Sequence, residues 1–284
     1  MVLRIVFLLL LLAAPARLWA EGMYKSFEEA LSEPHLVRVL KINFKGLKQL
    51  PDVFDRFINL EEVHLTNNNI SELPPSFFTL KKLRIAKLHH NEITILPDDI
   101  GRLKKLEYLS LSFNKLTALP DSIVVLPKLK ELQLKNNLIE RLPENIGNLR
   151  NLEVLNINSN ALESVPESAA QLKKLEVLDI TENKVVSLPS RIGMLGNLRF
   201  LYMARNRLSQ IPESIGNCLK LQELDVVLCG VLQLPQTLSN IQRLDRVYID
   251  ERTLCFVPDP GLRFRQQIVV VPRGTTLYRS SQTM

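Results

Sequence analysis

Residues 106–120 read LEYLSLSFNKLTALP, and this stretch decides the fold because it recurs along most of the chain. Its frame is Leu at places 1, 4 and 6, Asn at place 9, Leu at places 11 and 14, and Pro at place 15. The Asn returns every 23 residues, at Asn68, Asn91, Asn114, Asn137, Asn160, Asn183 and Asn206. A fixed period of this length indicates a solenoid of stacked units.

The spacing of the Leu residues predicts a short strand in each unit, because side chains alternate between the two faces of a strand. Leu109 and Leu111 should point inward, while Tyr108, Ser110 and Ser112 point outward. One unit cannot bury its own Leu side chains, so we expect the units to stack and the strands to pair in parallel over one continuous core.

The Asn column is predicted to be structural. An Asn side chain has donors and an acceptor, which can satisfy backbone groups where the chain turns out of its strand. We expect Asn137 to be buried and bonded to its own or an adjacent unit, and its loss to cost about 1–3 kcal/mol.

Ten units follow one another without an insertion. They start at Val37, Leu60, Leu83, Leu106, Leu129, Leu152, Leu175, Leu198, Leu221 and Leu244. A Pro at the fifteenth place, as at Pro120, directs each chain into an irregular or short helical return on the outer face. Apolar residues follow that Pro, and Ile146, Leu149, Ile192 and Leu195 are predicted to be core residues.

Residues 37–266 resemble the leucine-rich repeat family, and the outer segment L-P-x-x-I-G-x-L-x-x-L resembles Ras-suppressor and scribble-type scaffolds, plant intracellular Ras-group proteins and bacterial repeat proteins. The resemblance implies an α/β solenoid, a horseshoe of ten 23-residue units with a parallel concave sheet. It also implies a protein-binding scaffold without chemistry in the repeats. The chain lacks the G-x-I-P segment of plant receptor repeats and the paired-Cys caps of animal extracellular ones, which argues against a receptor ectodomain.

The ends differ from the repeats. Residues 1–20 are interpreted as a signal peptide, with an apolar run from Ile5 to Ala14 and cleavage after Ala20, or alternatively after Ala16. Residues 21–36 are interpreted as an N-terminal helical cap that starts near Tyr24, with Ser26 and Glu29 as a capping box. Residues 267–284 should add an edge strand and a disordered tail.

A second interpretation of the N-terminus starts translation at Met23 and makes the protein cytoplasmic. The three Cys residues, Cys218, Cys229 and Cys255, support it, because an odd number leaves an unpaired thiol that is unusual in an exported protein. Cys229 stands at an Asn place, as do Lys45 in the first unit and Arg252 in the last, where atypical repeats are expected.

Charge and motifs argue against several functions. The formal net charge of +6 falls to +4 without residues 1–20, which gives no argument for nucleic acid. No Gly-rich phosphate loop or nucleophile elbow is present, so we expect neither an enzyme nor a cofactor. His64, His89 and His90 lie near Glu62 and Glu92 without a tight ligand spacing, so we interpret them as a solvated polar patch and expect no metal site.

The outward side chains of the strands form the predicted binding face for a protein partner of unknown identity. Aromatic and Arg residues concentrate binding energy in interfaces, and we select Tyr108, Phe113, Phe200, Tyr202 and Arg205 as partner-binding residues. Strand propensity alone also favours aromatic residues at such places. We expect an exported monomer without a membrane span; the alternative is a cytosolic scaffold or regulatory subunit that engages a GTPase or phosphatase.

Overall fold

The computed structural model describes residues 22–230, 233–251 and 268–271. The predicted signal peptide, Arg252, Cys255 and the tail from Arg273 lie outside these residues. Within them, twelve strands form a single parallel sheet in chain order. The strands are β1 Met23–Tyr24, β2 Val39–Lys41, β3 Glu62–His64, β4 Ile85–Lys87, β5 Tyr108–Ser110, β6 Glu131–Gln133, β7 Val154–Asn156, β8 Val177–Asp179, β9 Phe200–Tyr202, β10 Glu223–Asp225, β11 Arg246–Asp250 and β12 Ile268–Val271.

The repeat period sets the register of the sheet. Leu109 pairs with Leu132, and Leu132 pairs with Leu155, each 23 residues further on. Equivalent Leu residues therefore form continuous columns, and Leu109, Leu132 and Leu155 are fully buried. The predicted horseshoe of leucine-rich type, with its parallel sheet, is confirmed.

The convex side consists of short returns. Ten 3₁₀ segments lie among the described residues: Pro34–Leu36, Phe54–Arg56, Pro75–Thr79, Asp98–Arg102, Asp121–Val125, Ile146–Asn148, Glu167–Gln171, Ile192–Met194, Glu213–Asn217 and Gln236–Asn240. The predicted convex core residues Ile146, Leu149, Ile192 and Leu195 are at most 1% exposed, which confirms their inward orientation.

A Gly on this side allows neighbouring returns to approach closely. A Cβ atom on Gly193 would lie 2.0 Å from the backbone carbonyl oxygen of Ser214 in the next unit. The same atom on Gly147 would lie 2.1 Å from the carbonyl oxygen of Ser168. A side chain at either place would therefore push two units apart.

The N-terminal end differs from the prediction. The single α-helix of the described residues, α1, spans Phe27–Ser32 and does not begin at Tyr24. Met23 and Tyr24 instead pair in parallel with Val39 and Leu40 as an extra edge strand. Tyr24 cannot join the helix because it is held extended in this pair.

Helix α1 packs against the first unit. The Ser26 hydroxyl accepts a hydrogen bond from the Glu29 backbone N–H at 3.2 Å, and the Glu29 carboxylate accepts from Lys25 at 3.4 Å. The Phe27 ring meets the Phe54 ring edge to face at 5.6 Å, and Ala30 is fully buried. The division of the whole chain into four segments stays a prediction.

The Asn column links consecutive units. The Asn137 side-chain oxygen accepts from the Leu116 N–H at 3.0 Å, and its amide nitrogen donates to the Leu111 and Leu134 carbonyls at 2.9 and 3.0 Å. Six of the seven Asn residues are 6–8% exposed, and Asn160 is half-buried. In the ninth unit the Cys229 thiol takes over one donation, to the Met203 carbonyl at 3.0 Å.

The residue before each Asn turns the chain out of its strand in the left-handed conformation, which non-Gly residues seldom adopt. Phe113 has a φ of 56° and Arg205 a φ of 57°. The eighth place of each of the first nine units has this geometry, at Phe44, Asn67, His90, Phe113, Asn136, Ser159, Glu182, Arg205 and Leu228. Sequence reasoning missed this feature because the residue types at the eighth place vary widely.

Candidate binding surface on the concave sheet

The concave face is built from the third, fifth, seventh and eighth places of the units. Ten strands at about 4.8 Å give an arc of roughly 48 Å. The predicted partner-binding residues fall into two separate groups on this arc. One group lies in the fourth unit and the other in the eighth, four strand spacings or roughly 19 Å apart.

The first aromatic group consists of Tyr108, Phe113 and His90. The His90 and Phe113 rings stack with centroids 4.1 Å apart and planes 9° from parallel. The Lys135 ammonium lies 5.9 Å from the Phe113 ring centre, and the Lys87 ammonium lies 5.9 Å from the Tyr108 ring centre. Burial raises the pKa of Tyr108, so its hydroxyl stays protonated. The group therefore presents flat rings with cationic side chains beside them.

The second aromatic group consists of Phe200, Tyr202 and Arg205. The two rings stack at 6.2 Å with 28° between their planes, and the Arg199 guanidinium lies 5.2 Å from the Phe200 ring centre. The Tyr202 hydroxyl bonds to a Glu223 carboxylate oxygen at 3.1 Å. Arg205 forms an ion pair with Glu182 at 3.1 Å. Residues of both adjacent units therefore contact these side chains.

These aromatic side chains are less exposed than outward placement alone suggests. Tyr108, Phe113, Phe200 and Tyr202 are half-buried, and only Arg205 of the five is exposed. The outward Ser110 and Ser112 are only 3% and 8% exposed, because larger side chains stand beside them on the same face. Removing a ring from this surface therefore costs the fold some packing.

Two carboxylates that flank Tyr202 serve the backbone. Asp179 and Asp225 pair with Tyr202 on the strands to either side. Asp179 accepts from the Thr181 N–H at 2.9 Å, and Asp225, 6% exposed, accepts from the Val227 N–H at 3.1 Å. Burial raises the pKa of Asp179. The exposed charge beside the second aromatic group comes from Arg205 and Glu182.

The histidine patch is partly desolvated. His64 bonds to Glu62 at 3.1 Å, and burial lowers the pKa values of both His64 and His89. In the described part of the chain, no group of three or more His, Cys, Asp or Glu side chains is arranged to hold a metal ion. Burial raises the pKa values of the free thiols of Cys218 and Cys229 to about 12, so neither is a reactive thiolate.

No helix in the described ranges is both long and apolar enough to cross a bilayer.

Three family descriptions match the chain. "Leucine rich repeat" matches residues 58–116, "Leucine-rich repeat region" matches residues 121–198, and a further "Leucine Rich Repeat" matches residues 197–218. No curated protein matches this sequence.

Similar solved structures come from a bacterium and from plants. A leucine-rich repeat protein of Leptospira interrogans is 30% identical over 80% of this chain and 71% of its own, with a TM-score of 0.49. The ectodomain of the Arabidopsis thaliana receptor kinase GASSHO1/SCHENGEN3, in complex with Casparian strip integrity factor 2, is 25% identical with a TM-score of 0.69, over 82% of this chain and 28% of its own.

A third similar structure is the plant peptide hormone receptor RGFR1 in complex with RGF2. It is 29% identical with a TM-score of 0.61, over 76% of this chain and 40% of its own. The chain thus spans less than half the length of these two plant receptor chains.

Proposed function

The chain is a leucine-rich repeat protein, and on that premise we propose that it is an exported, non-catalytic module that binds a protein partner on its concave face. Leucine-rich repeat proteins are typically protein-interaction modules, and the plant receptors of similar fold are named as complexes with protein or peptide partners. A parallel sheet that presents side chains along roughly 48 Å is long enough for an extended segment of a partner.

The observation that carries the proposal is the second aromatic group. Phe200 and Tyr202 stack on one strand and are half-buried, so their neighbours restrict the rotamers of both side chains before a partner binds. Binding then orders few additional side chains, which lowers its entropic cost. Exposed Arg205 beside the rings adds a polar contact, and this combination is enriched among binding hot spots.

The test begins with capture of a partner from the envelope fraction and lysate of the native host, followed by titration of the captured protein. The double variant Phe200→Ala/Tyr202→Ala should weaken binding by more than about 30-fold, which corresponds to roughly 2 kcal/mol. Tyr202→Phe keeps the ring and removes only the hydroxyl that contacts Glu223, so it should retain most of the affinity.

The control for lost aromatic surface is Phe44→Ala, because Phe44 is 75% exposed and lies on the same face in the first unit. Thermal melting by circular dichroism separates lost binding from lost folding. Equal affinity of the wild type and the double variant, together with lost binding in the convex-side variant Arg102→Glu, would place the site on the other side of the solenoid.

The second candidate is a cytosolic scaffold or regulatory subunit that engages a GTPase or phosphatase. The buried free thiols of Cys218 and Cys229 favour it, since exported proteins seldom keep unpaired cysteines. N-terminal sequencing of the protein from its native host separates the two candidates. A chain that begins near Glu21 supports export, and one that begins at Met1 or Met23 contradicts it.

A further inference from the structure

The parallel sheet places the start of every strand at one lateral edge of the solenoid. We define the entry rim as the last two residues of units one to nine together with the second residue of units two to ten, all within residues 58–245. Residues that are far apart in sequence become neighbours along this rim, at about 4.8 Å per unit.

The entry rim is strongly basic. It contains thirteen Lys or Arg residues against five Asp or Glu residues, a net charge of +8, whereas the whole chain has +6. Ten of these basic residues occupy the last two places of their units, where no acidic residue occurs, and all ten are exposed. They are Lys81, Lys82, Lys104, Lys105, Lys128, Arg150, Lys173, Lys174, Lys220 and Arg243.

Ion pairs do not neutralise the basic residues at the ends of the units. At the second places of the units, Arg84 and Lys130 pair with Glu107 at 2.9 and 3.2 Å, and Arg199 pairs with Glu176 at 3.3 Å. Within the described ranges, none of the ten end-of-unit basic residues forms an ion pair. Where they are bonded, as in Lys82 to Asn59 at 2.6 Å and Lys220 to Asn197 at 2.6 Å, the partner is neutral.

The convex returns give the molecule a charge asymmetry. Each return starts near the opposite edge, and the first place after the Pro is often an exposed acidic residue. These residues are Asp52, Asp98, Asp121, Glu144, Glu167 and Glu213. The opposite edge also carries exposed Lys48, Arg141 and Lys184, so its charge is mixed. An anionic surface would therefore attract the entry rim more strongly than the opposite edge, which favours one orientation of the protein.

Exposed aliphatic side chains lie on the same rim. Ile58 is 65% exposed and Leu219 is 60% exposed, and they occupy the unit place that Lys81 and Lys104 fill elsewhere. Leu36, 47% exposed, stands just before the first unit at the N-terminal end of the rim. Aliphatic side chains contribute little to binding a soluble polyanion, whereas basic residues combined with apolar ones are typical of proteins that bind at a lipid interface.

We propose that the entry rim docks the protein onto the surface of a bilayer rich in anionic lipid. The Lys and Arg side chains contact the headgroups, and Ile58 and Leu219 enter the interface at the two ends of the rim. The concave face points along the bilayer in this orientation and stays open to a partner. Docking is independent of the partner-binding proposal, since it uses none of Tyr108, Phe113, Phe200, Tyr202 or Arg205.

The test is flotation of the purified full-length protein, as isolated from its host, with vesicles. Vesicles of phosphatidylcholine with about 30% phosphatidylserine should bind the protein, and pure phosphatidylcholine vesicles should not. Binding should weaken in 0.5 M NaCl, because the screening length falls from about 8 Å at physiological ionic strength to a few ångströms.

The diagnostic variant is Lys81→Glu/Lys104→Glu/Lys105→Glu, which should reduce binding at least about tenfold. The matched control is Lys48→Glu/Arg141→Glu/Lys184→Glu, which makes the same charge change at exposed places on the opposite edge and should stay within about twofold of the wild type. The variant Ile58→Ser/Leu219→Ser should weaken binding while its salt dependence stays the same, because it removes no charge.

Equal losses of vesicle binding in the diagnostic variant and the control would show that only the overall charge of the protein matters, and this would overturn the proposal. Binding to heparin without binding to vesicles would also overturn it, because the partner would then be a soluble polyanion. Circular dichroism melting verifies folding, and if the reversal destabilises the protein, the Lys81→Gln/Lys104→Gln/Lys105→Gln variant provides the same comparison. Phe200→Ala/Tyr202→Ala should float like the wild type, which separates this result from that of the concave face.

Discussion

The change Asn137→Ala tests how the Asn column holds the solenoid. Asn137 is 6% exposed and makes three side-chain hydrogen bonds of 3.0 Å or less, one accepted and two donated. They connect backbone groups of the fourth and fifth units. Alanine leaves the buried Leu116 N–H without this acceptor, and it leaves two carbonyls without this donor.

The expected cost follows from these bonds. A typical hydrogen bond contributes about 1 kcal/mol net, and a buried donor left unsatisfied costs about 1–3 kcal/mol, so the free energy of unfolding should fall by about 2–4 kcal/mol. This exceeds the 1–3 kcal/mol expected from sequence, because the side chain serves three backbone groups instead of one. Asn137→Cys should lose less than Asn137→Ala, since the Cys229 thiol donates to the Met203 carbonyl at the equivalent place.

Urea unfolding followed by far-UV circular dichroism provides the measurement. The midpoint should fall while the slope m stays unchanged, because the same surface is exposed on unfolding. A lower m would show that units separate before global unfolding, as a quasi-one-dimensional solenoid allows. A loss below about 1 kcal/mol at unchanged m would refute the reasoning, since it would mean that the Leu116 N–H finds another partner.

Three further predictions concern the convex side and the histidine patch. Gly193→Ala should lower the free energy of unfolding by at least about 1–3 kcal/mol in thermal melts, because its Cβ would lie 2.0 Å from the Ser214 carbonyl oxygen. Gly196→Ala is the control and should be neutral, because no atom lies within 4 Å of the added Cβ. Leu149→Ala should cost about 2–5 kcal/mol in urea unfolding, and an effect below about 1 kcal/mol would contradict the buried position of Leu149. Burial lowers the pKa values of His64 and His89 in the folded state below the ordinary value of 6.5. On acidification the unfolded chain therefore binds protons before the folded chain does, and the free energy of unfolding should fall as the pH drops below about 6.5. His64→Gln/His89→Gln should flatten the melting temperature between pH 7 and pH 5, and an unchanged slope would show that other groups control it.

The protein has two proposed binding surfaces, the second aromatic group and the entry rim. The second aromatic group offers rigid rings to a protein, and the entry rim offers exposed cations to a lipid surface. The aromatic group lies on the concave face of the sheet and the entry rim lies at the edge where the strands start, so the two contacts use different residues. Variants in one should leave the other intact, and this is the comparison that the binding and flotation experiments make.

The sequence alone determined which residues form the core and how the units pair. In a solenoid with a 23-residue period, each residue contacts the residues at similar places in the next unit, so the repeat pattern itself predicts the contacts between units. The Leu, Asn and Pro columns therefore predict the parallel sheet, the buried Asn137 and the inward Ile146. The same reasoning fails at the N-terminus, where no preceding unit exists to define the pairing of Met23 and Tyr24.

The tertiary structure decided how the surface side chains are used. An outward position in a strand does not determine how exposed a side chain is, because exposure also depends on the sizes of the neighbours on adjacent strands. Ser110 and Asp225 point outward and are nevertheless buried. The Asp225 carboxylate also accepts a hydrogen bond from the Val227 N–H where the strand ends. Nor does a mild net charge show where the charge lies. The parallel strands bring Lys81, Lys104 and Lys128 of the entry rim to one edge of the sheet. These residues lie 23 or 24 positions apart in the chain and become neighbours only because the units stack.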